Sequence, residues 1–201
     1  ISGKPLKLYD QFLDHFFQGD TQLETDEISF IEKHKSSKNI VYLNRPRDIE
    51  DAALKFVRKK VMFKKEVQHV YDAIADFVHP EYNLLKCVKN GVVYHNGGMP
   101  DIIRLYVESL FSNDENFDII VTNSTLLEGV NIPAEKIFLL SVMIGRRSFN
   151  KSQFKNLIGR VCRFSEVFNQ QTGNLRMLEP EIYLIKGEYA DSRLNLDNFI
   201  R

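Results

Sequence analysis

Residues 91–122, GVVYHNGGMPDIIRLYVESLFSNDENFDIIVT, decide the fold. GVVYH is a short β-branched run and reads as a strand. PDIIRLYVESLF reads as a helix, with Pro100 suited to its first turn. FDIIVT is a second buried strand. Strands alternating with helices imply βαβ crossovers, and hence a mostly parallel sheet with helices on both faces, an α/β fold.

The same rhythm extends in both directions. Upstream, NIVYLN (39–44) is a buried strand closed off by Pro46, and RDIEDAALKFVRKKVMF is rich in helix formers. Residues 64–78 carry Val67, Val70, Ile74 and Phe77 on one helical face, ended by His79-Pro80. YNLLKCVKNG is a further helix with Gly91 at its C-terminal cap. Downstream come a strand, KIFLLSV, a helix, SQFKNLIGRVCRF, a polar connector, NQQTGNLRMLEP, and a last strand, EIYLIK (181–186). Before all of these, residues 6–18 show apolar positions at helical spacing, and 24–35 read as a second helix. Residues 1–37 are thus expected to form an N-terminal helical or linker segment packed on one domain spanning 38–201.

The 201 residues suffice for one good-sized domain. The 27 basic and 27 acidic side chains balance, so any polyanion would have to be met by a local patch. The basic run KFVRKKVMFKK (55–65) reads first as a solvated helix face and second as a nucleic-acid track. Cys87 and Cys162 form no zinc spacing and suit a reducing cytoplasm. No apolar run approaches the roughly 20 residues of a membrane helix, and IFLLSVMIG reads as a buried strand. The chain opens on Ile1, so it is expected to be part of a longer polypeptide.

A nucleotide-hydrolysing α/β domain carries a glycine-rich loop ending in Gly-Lys and a hydroxyl residue. Here Gly3-Lys4 runs into Pro5, and neither Asp26-Glu27 nor Asp114-Glu115 follows an apolar strand. The chain is expected to have no phosphate cradle and no metal site of its own.

In parallel sheets ligands bind beyond the carboxyl ends of the strands. Three polar sets fall there: Asn44-Arg45, His95-Asn96-Gly97-Gly98, and the elbow from Thr122 to Asn131. In the elbow, Ser124 or Thr125 is a candidate N-cap with Glu128 near the N3 position, and a capped helix start also binds phosphate oxygens. Arg160 and Arg163 lie three apart on one helix, so they share a face. Two guanidinium forks there suit a multiply charged phosphate. Gly159, just before them, permits close packing or close ligand approach.

The series IVYLNRPRDIEDAA, GVVYHNGGMPDIIRLYVESLF, IIVTNSTLLEGVNIPAEKIF and FKNLIGRVCRF, over about 38–187, resembles the second RecA-like lobe of superfamily 2 helicases, most closely the Ski-like DExH branch. The resemblance implies an ATP-driven motor of two lobes. The first, absent here, holds ATP with Mg2+, and the second contributes arginine fingers. By the family pattern Arg160 and Arg163 match the fingers, and Asn156 stands where a glutamine is usual. Gly129, Asn131 and Gly159 fall on the nucleotide side. Asn44, Arg45, His95, Asn96, Gly97, Thr122, Ser124 and Thr125 match positions that touch the nucleic-acid backbone. Cys162 replaces the second glycine of the arginine motif. The implied partners are single-stranded or duplex nucleic acid and the N-terminal lobe of the same protein. The chain by itself is expected to be inactive. The alternative is a helicase-like module without ATPase activity that binds nucleic acid or a protein.

Overall fold

The computed structural model describes residues 7–10, 13, 15–18, 26–59, 65–125, 134–161, 181–191, 194–195 and 199. After a hairpin of β1 (Lys7–Asp10) and β2 (His15–Gln18), the chain runs α1 (Glu27–His34), β3 (Asn39–Tyr42), α2 (Pro46–Lys59), a 3-10 turn at Lys65–Val67, α3 (Gln68–Ala75), α4 (Asn83–Val88), β4 (Val92–Tyr94), α5 (Asp101–Asn113) and β5 (Ile119–Thr122). Then come β6 (Lys136–Leu139), a hairpin of β7 (Met143–Ile144) and β8 (Arg147–Ser148), α6 (Lys151–Val161) and β9 (Glu181–Leu184).

Five strands form one sheet in the order β4-β5-β3-β6-β9, and every pairing in it is parallel. This is the expected α/β, RecA-like arrangement. From the central β3 the chain crosses out to β4 through α2–α4, then returns to β5 through α5. Right-handed crossovers in opposite directions put those helices on opposite faces. The side chains agree, because neighbours along a strand alternate faces. Tyr94 sends its hydroxyl to Glu50 of α2 at 3.3 Å. His95, the next residue, meets Glu108 of α5 at 3.3 Å. The row Tyr94, Val121, Val41, Phe138 and Tyr183 runs across the sheet in register on the α2 side. There Tyr183 stacks on Phe138 at 4.9 Å and meets Phe30 of α1.

The inner strands are read correctly because they are continuous apolar runs buried on both faces; β3, β4 and β5 are buried at every position, whereas the edge strand β9 is only half-buried after an exposed Glu181. Helix starts have local causes. Asp26 caps α1 by accepting from the Ser29 N–H at 3.0 Å. Its carboxyl is raised by burial, yet the stronger pull of Lys59 and Ser29 holds it well below the usual range. Asn150 and Gln153 cap α6 reciprocally, each accepting the other's backbone N–H at 2.8 and 3.0 Å. Gly91, after α4, takes the expected positive φ of 68°.

Two expectations are corrected. Residues 6–18 do not form a helix. Strands β1 and β2 pair antiparallel with Leu8 opposite Phe17 and Tyr9 opposite Phe16, so aromatic strand preference prevails over an ambiguous spacing. IFLLSVMIG is not one strand either. It leaves the sheet after Leu139 and turns at Gly145 (φ 59°) into the β7–β8 hairpin. A two-residue turn of this kind needs positive φ at its first position. Among the described residues, no helix is long and apolar enough to cross a membrane.

Candidate nucleic-acid and nucleotide interface

The loops beyond the carboxyl ends of β4, β5 and β3 sit side by side because those strands are neighbours. The ladder continues past the strands: His95 N–H donates to Val121 C=O at 3.1 Å and Leu43 N–H to Thr122 C=O at 2.8 Å. The described residues of all three sets picked out from the sequence, which in the elbow are 122–125, therefore lie on one rim.

Arg45 is exposed and makes no side-chain hydrogen bond or ion pair among the described residues. Its neighbour Asn44 is engaged: its amide donates to Gly145 C=O at 2.7 Å and accepts from Gly145 N–H at 2.8 Å. That double bond clips the β7–β8 hairpin to the loop after β3. Tyr42 secures the base of the same hairpin, donating to Met143 C=O at 2.9 Å and packing its ring 5.1 Å from Phe149. The turn carries Arg146 and Arg147, both exposed. The hairpin was missed from sequence, although Gly145 inside an apolar run was its signal.

His95 is wholly buried. Nδ1 lies 3.3 Å from Thr125 Oγ1, and Nε2 lies 3.5 Å from Thr122 Oγ1 and 3.3 Å from Glu108 Oε1. Burial, helped by the Arg104 charge, lowers its pKa to about 4. Burial raises that of Glu108 against the opposing pull of Arg104. By distance the two form an ion pair, but both shifts discharge their group, and a neutral contact fits such a dry site better. Asn96 is buried and folds its own loop, accepting from the Gly98 N–H at 2.9 Å. A Cβ at Gly97 would stand 3.1 Å from Thr125 Cγ2, so the absence of a side chain lets this loop close on the elbow.

Thr122 is buried, and Ser124 and Thr125 are half-buried. In the described part of the elbow it is Asn123, rather than Ser124 or Thr125, that holds the turn. Asn123 Oδ1 accepts from the Thr125 N–H at 3.3 Å and the Thr125 hydroxyl at 2.8 Å. Glu128, Gly129, Asn131, Cys162 and Arg163 lie outside the described residues, as does the side chain of Arg160. Asn156 and Gly159 are exposed on α6. A Cβ at Gly159 would meet nothing within 4 Å, so this glycine is not required by packing within the described chain. Among the described residues no group of three or more His, Cys, Asp or Glu is placed to hold a metal ion.

No protein-family model matches the chain. Similarity to curated proteins points one way. The chain is 32% identical over 80 residues, 40% of its length and 9% of that protein, to a helicase POLQ-like protein of Caenorhabditis elegans. It is 27% identical over 155 residues, 73% of its length and 12% of the relative, to the ATP-dependent DNA helicase MER3 of Saccharomyces cerevisiae. It is 27% identical over 135 residues, 62% of its length and 12% of the relative, to the Hachiman protein HamB of Bacillus cereus. The chain spans about a tenth of the length of the curated relatives it matches. A parallel α/β sheet, polar loops gathered on its carboxyl rim and these similarities agree with the motif series: the chain is a homologue of helicases.

Proposed function

We propose that this chain is the C-terminal motor lobe of an ATP-dependent nucleic-acid helicase or translocase. Its partner lobe, belonging to the same longer protein, holds ATP with Mg2+. Arg160 and Arg163 reach across the cleft and stabilise charge developing on the transferred phosphoryl group. Asn156 and Gly159 line that approach, with Gly129 and Asn131 on the nucleotide side. The rim grips the nucleic-acid backbone: Arg45, Arg146 and Arg147 are its exposed cations, and His95, Asn96, Gly97, Thr122, Ser124 and Thr125 shape its loops. Asn44 acts through the hairpin it clips. Backbone contact makes binding tolerant of sequence and sensitive to salt.

The observation that supports this reading best is the convergence of three motif loops on adjacent strand ends, two of them joined by the contact of His95 with Thr125. ATP turnover tests it. The full-length protein is expected to hydrolyse ATP faster with single strands present, and the 201-residue chain to show none. Hydrolysis by the chain alone would refute the shared-site reading. A full-length protein that binds strands but never turns over ATP would favour the inactive-module alternative, which Asn156 and Cys162 at their motif positions favour.

A further inference from the structure

Glu108 has no assigned task, yet it sits under the rim. It is 3% exposed, and among the described residues its Oε2 has no hydrogen-bond partner. A buried carboxylate with an unpaired oxygen is far less favourable than the neutral acid.

The protons of this cluster can be assigned from its geometry. The Thr125 N–H and the Thr125 hydroxyl both approach one atom of Asn123, at 3.3 and 2.8 Å. A backbone N–H only donates, so that atom is the carbonyl oxygen, and the hydroxyl proton is committed to it as well. Thr125 Oγ1, 3.3 Å from His95 Nδ1, is left to accept. His95 therefore carries its proton on Nδ1. In the neutral ring Nε2 is then a bare lone pair, 3.3 Å from Glu108 and 3.5 Å from the Thr122 hydroxyl. The charged neighbour felt by both groups is Arg104, itself paired with Asp101 at 3.0 Å. It disfavours an imidazolium.

We propose that Glu108 is a positioning residue: held as the neutral acid, it donates its O–H to His95 Nε2 and so locks the Nδ1–H tautomer that braces Thr125. One line of hydrogen bonds then runs from α5 through the loop after β4 to the elbow after β5. The wiring stands on geometry. Its consequence, that two loops engaging a strand move as one unit, rests on the proposed function.

Nitrogen-15 NMR of the histidine-labelled chain at pH 7 tests the wiring. His95 is expected as the neutral Nδ1–H form in the native chain and in Glu108→Gln, whose amide replaces the acid donor. In Glu108→Leu an Nε2–H population is expected. An imidazolium or Nε2–H ring in the native chain overturns the proposal, as does an unchanged tautomer in the leucine variant. If that variant fails to fold, the native chain and Glu108→Gln still decide. In the full-length protein, Glu108→Leu is expected to raise the strand concentration for half-maximal ATPase stimulation roughly 3- to 10-fold, with Glu108→Gln within about twofold of native. Equal shifts in both variants, or none in either, remove the positioning role. A full-length protein without strand-stimulated ATPase would sink the functional reading, while the tautomer would still confirm or refute the wiring.

Discussion

His95 titrates in a way that folding must feel. The unfolded chain takes up a proton at the ordinary value of 6.5, while the folded one resists it down to about 4. Stability is therefore whole above pH 6.5 and falls as pH drops toward 4. One proton changes stability by about 1.4 kcal/mol per pH unit, so about 2 kcal/mol is lost between pH 6.5 and 5. Glu108 acts with the opposite sign. Its raised value means the folded state keeps a proton that the unfolded state releases above about pH 4.3, so its contribution is largest in acid and falls as pH rises. His95→Gln is expected to lose about 2 kcal/mol less than the native chain between pH 7 and 5, measured by urea unfolding. Equal losses would place His95 in water. None of this burial was legible in GVVYHNGG, because a histidine after a strand is as readily exposed as buried. The available clue lay 13 residues on. Glu108 interrupts the buried stripe of Ile103, Val107, Leu110 and Phe111 on α5, where a carboxyl needs a partner.

Among the elements, the sheet strands and most helices were legible because buried parallel strands are continuous β-branched runs and the helices keep a 3.6-residue stripe. The β1–β2 segment was not. Its aromatic spacing satisfies a helix and a hairpin alike, and cross-strand pairing decides. The β7–β8 hairpin was hidden for another reason: IFLLSVMIG is almost wholly apolar, and contacts between residues 101 apart in sequence, Asn44 with Gly145 and Tyr42 with Met143, help set where the strand stops and the turn begins. Asn44→Ala is expected to speed amide exchange at Gly145 by roughly 5- to 12-fold, since the hydrogen bond that this amide donates contributes about 1 to 1.5 kcal/mol. The sheet amides are expected to keep their protection. Unchanged exchange at Gly145 would mean that the hairpin stands without the clip.

For the whole molecule, the balanced charge means that any grip on a polyanion is local. The clip ties the hairpin that carries Arg146 and Arg147 to the loop that carries Arg45. Arg45→Ala in the full-length protein is expected to weaken strand binding and to lower the slope of log K against log salt by about one. A slope unaltered from native would remove that phosphate contact. That the loops share one rim was legible from their places after the strands; their order around it, set by the strand order, and the hydrogen bonds joining them were not, since these bonds span residues far apart in sequence. In the proposed function this chain supplies positive charge to a nucleotide held by another lobe. The most direct measurement is ATP turnover and strand affinity of the full-length Arg163→Ala variant. The prediction is a turnover reduced about 10³-fold or more, the range of a lost arginine finger, with strand affinity within about twofold of native. Native turnover in that variant would mean that Arg163 is no arginine finger.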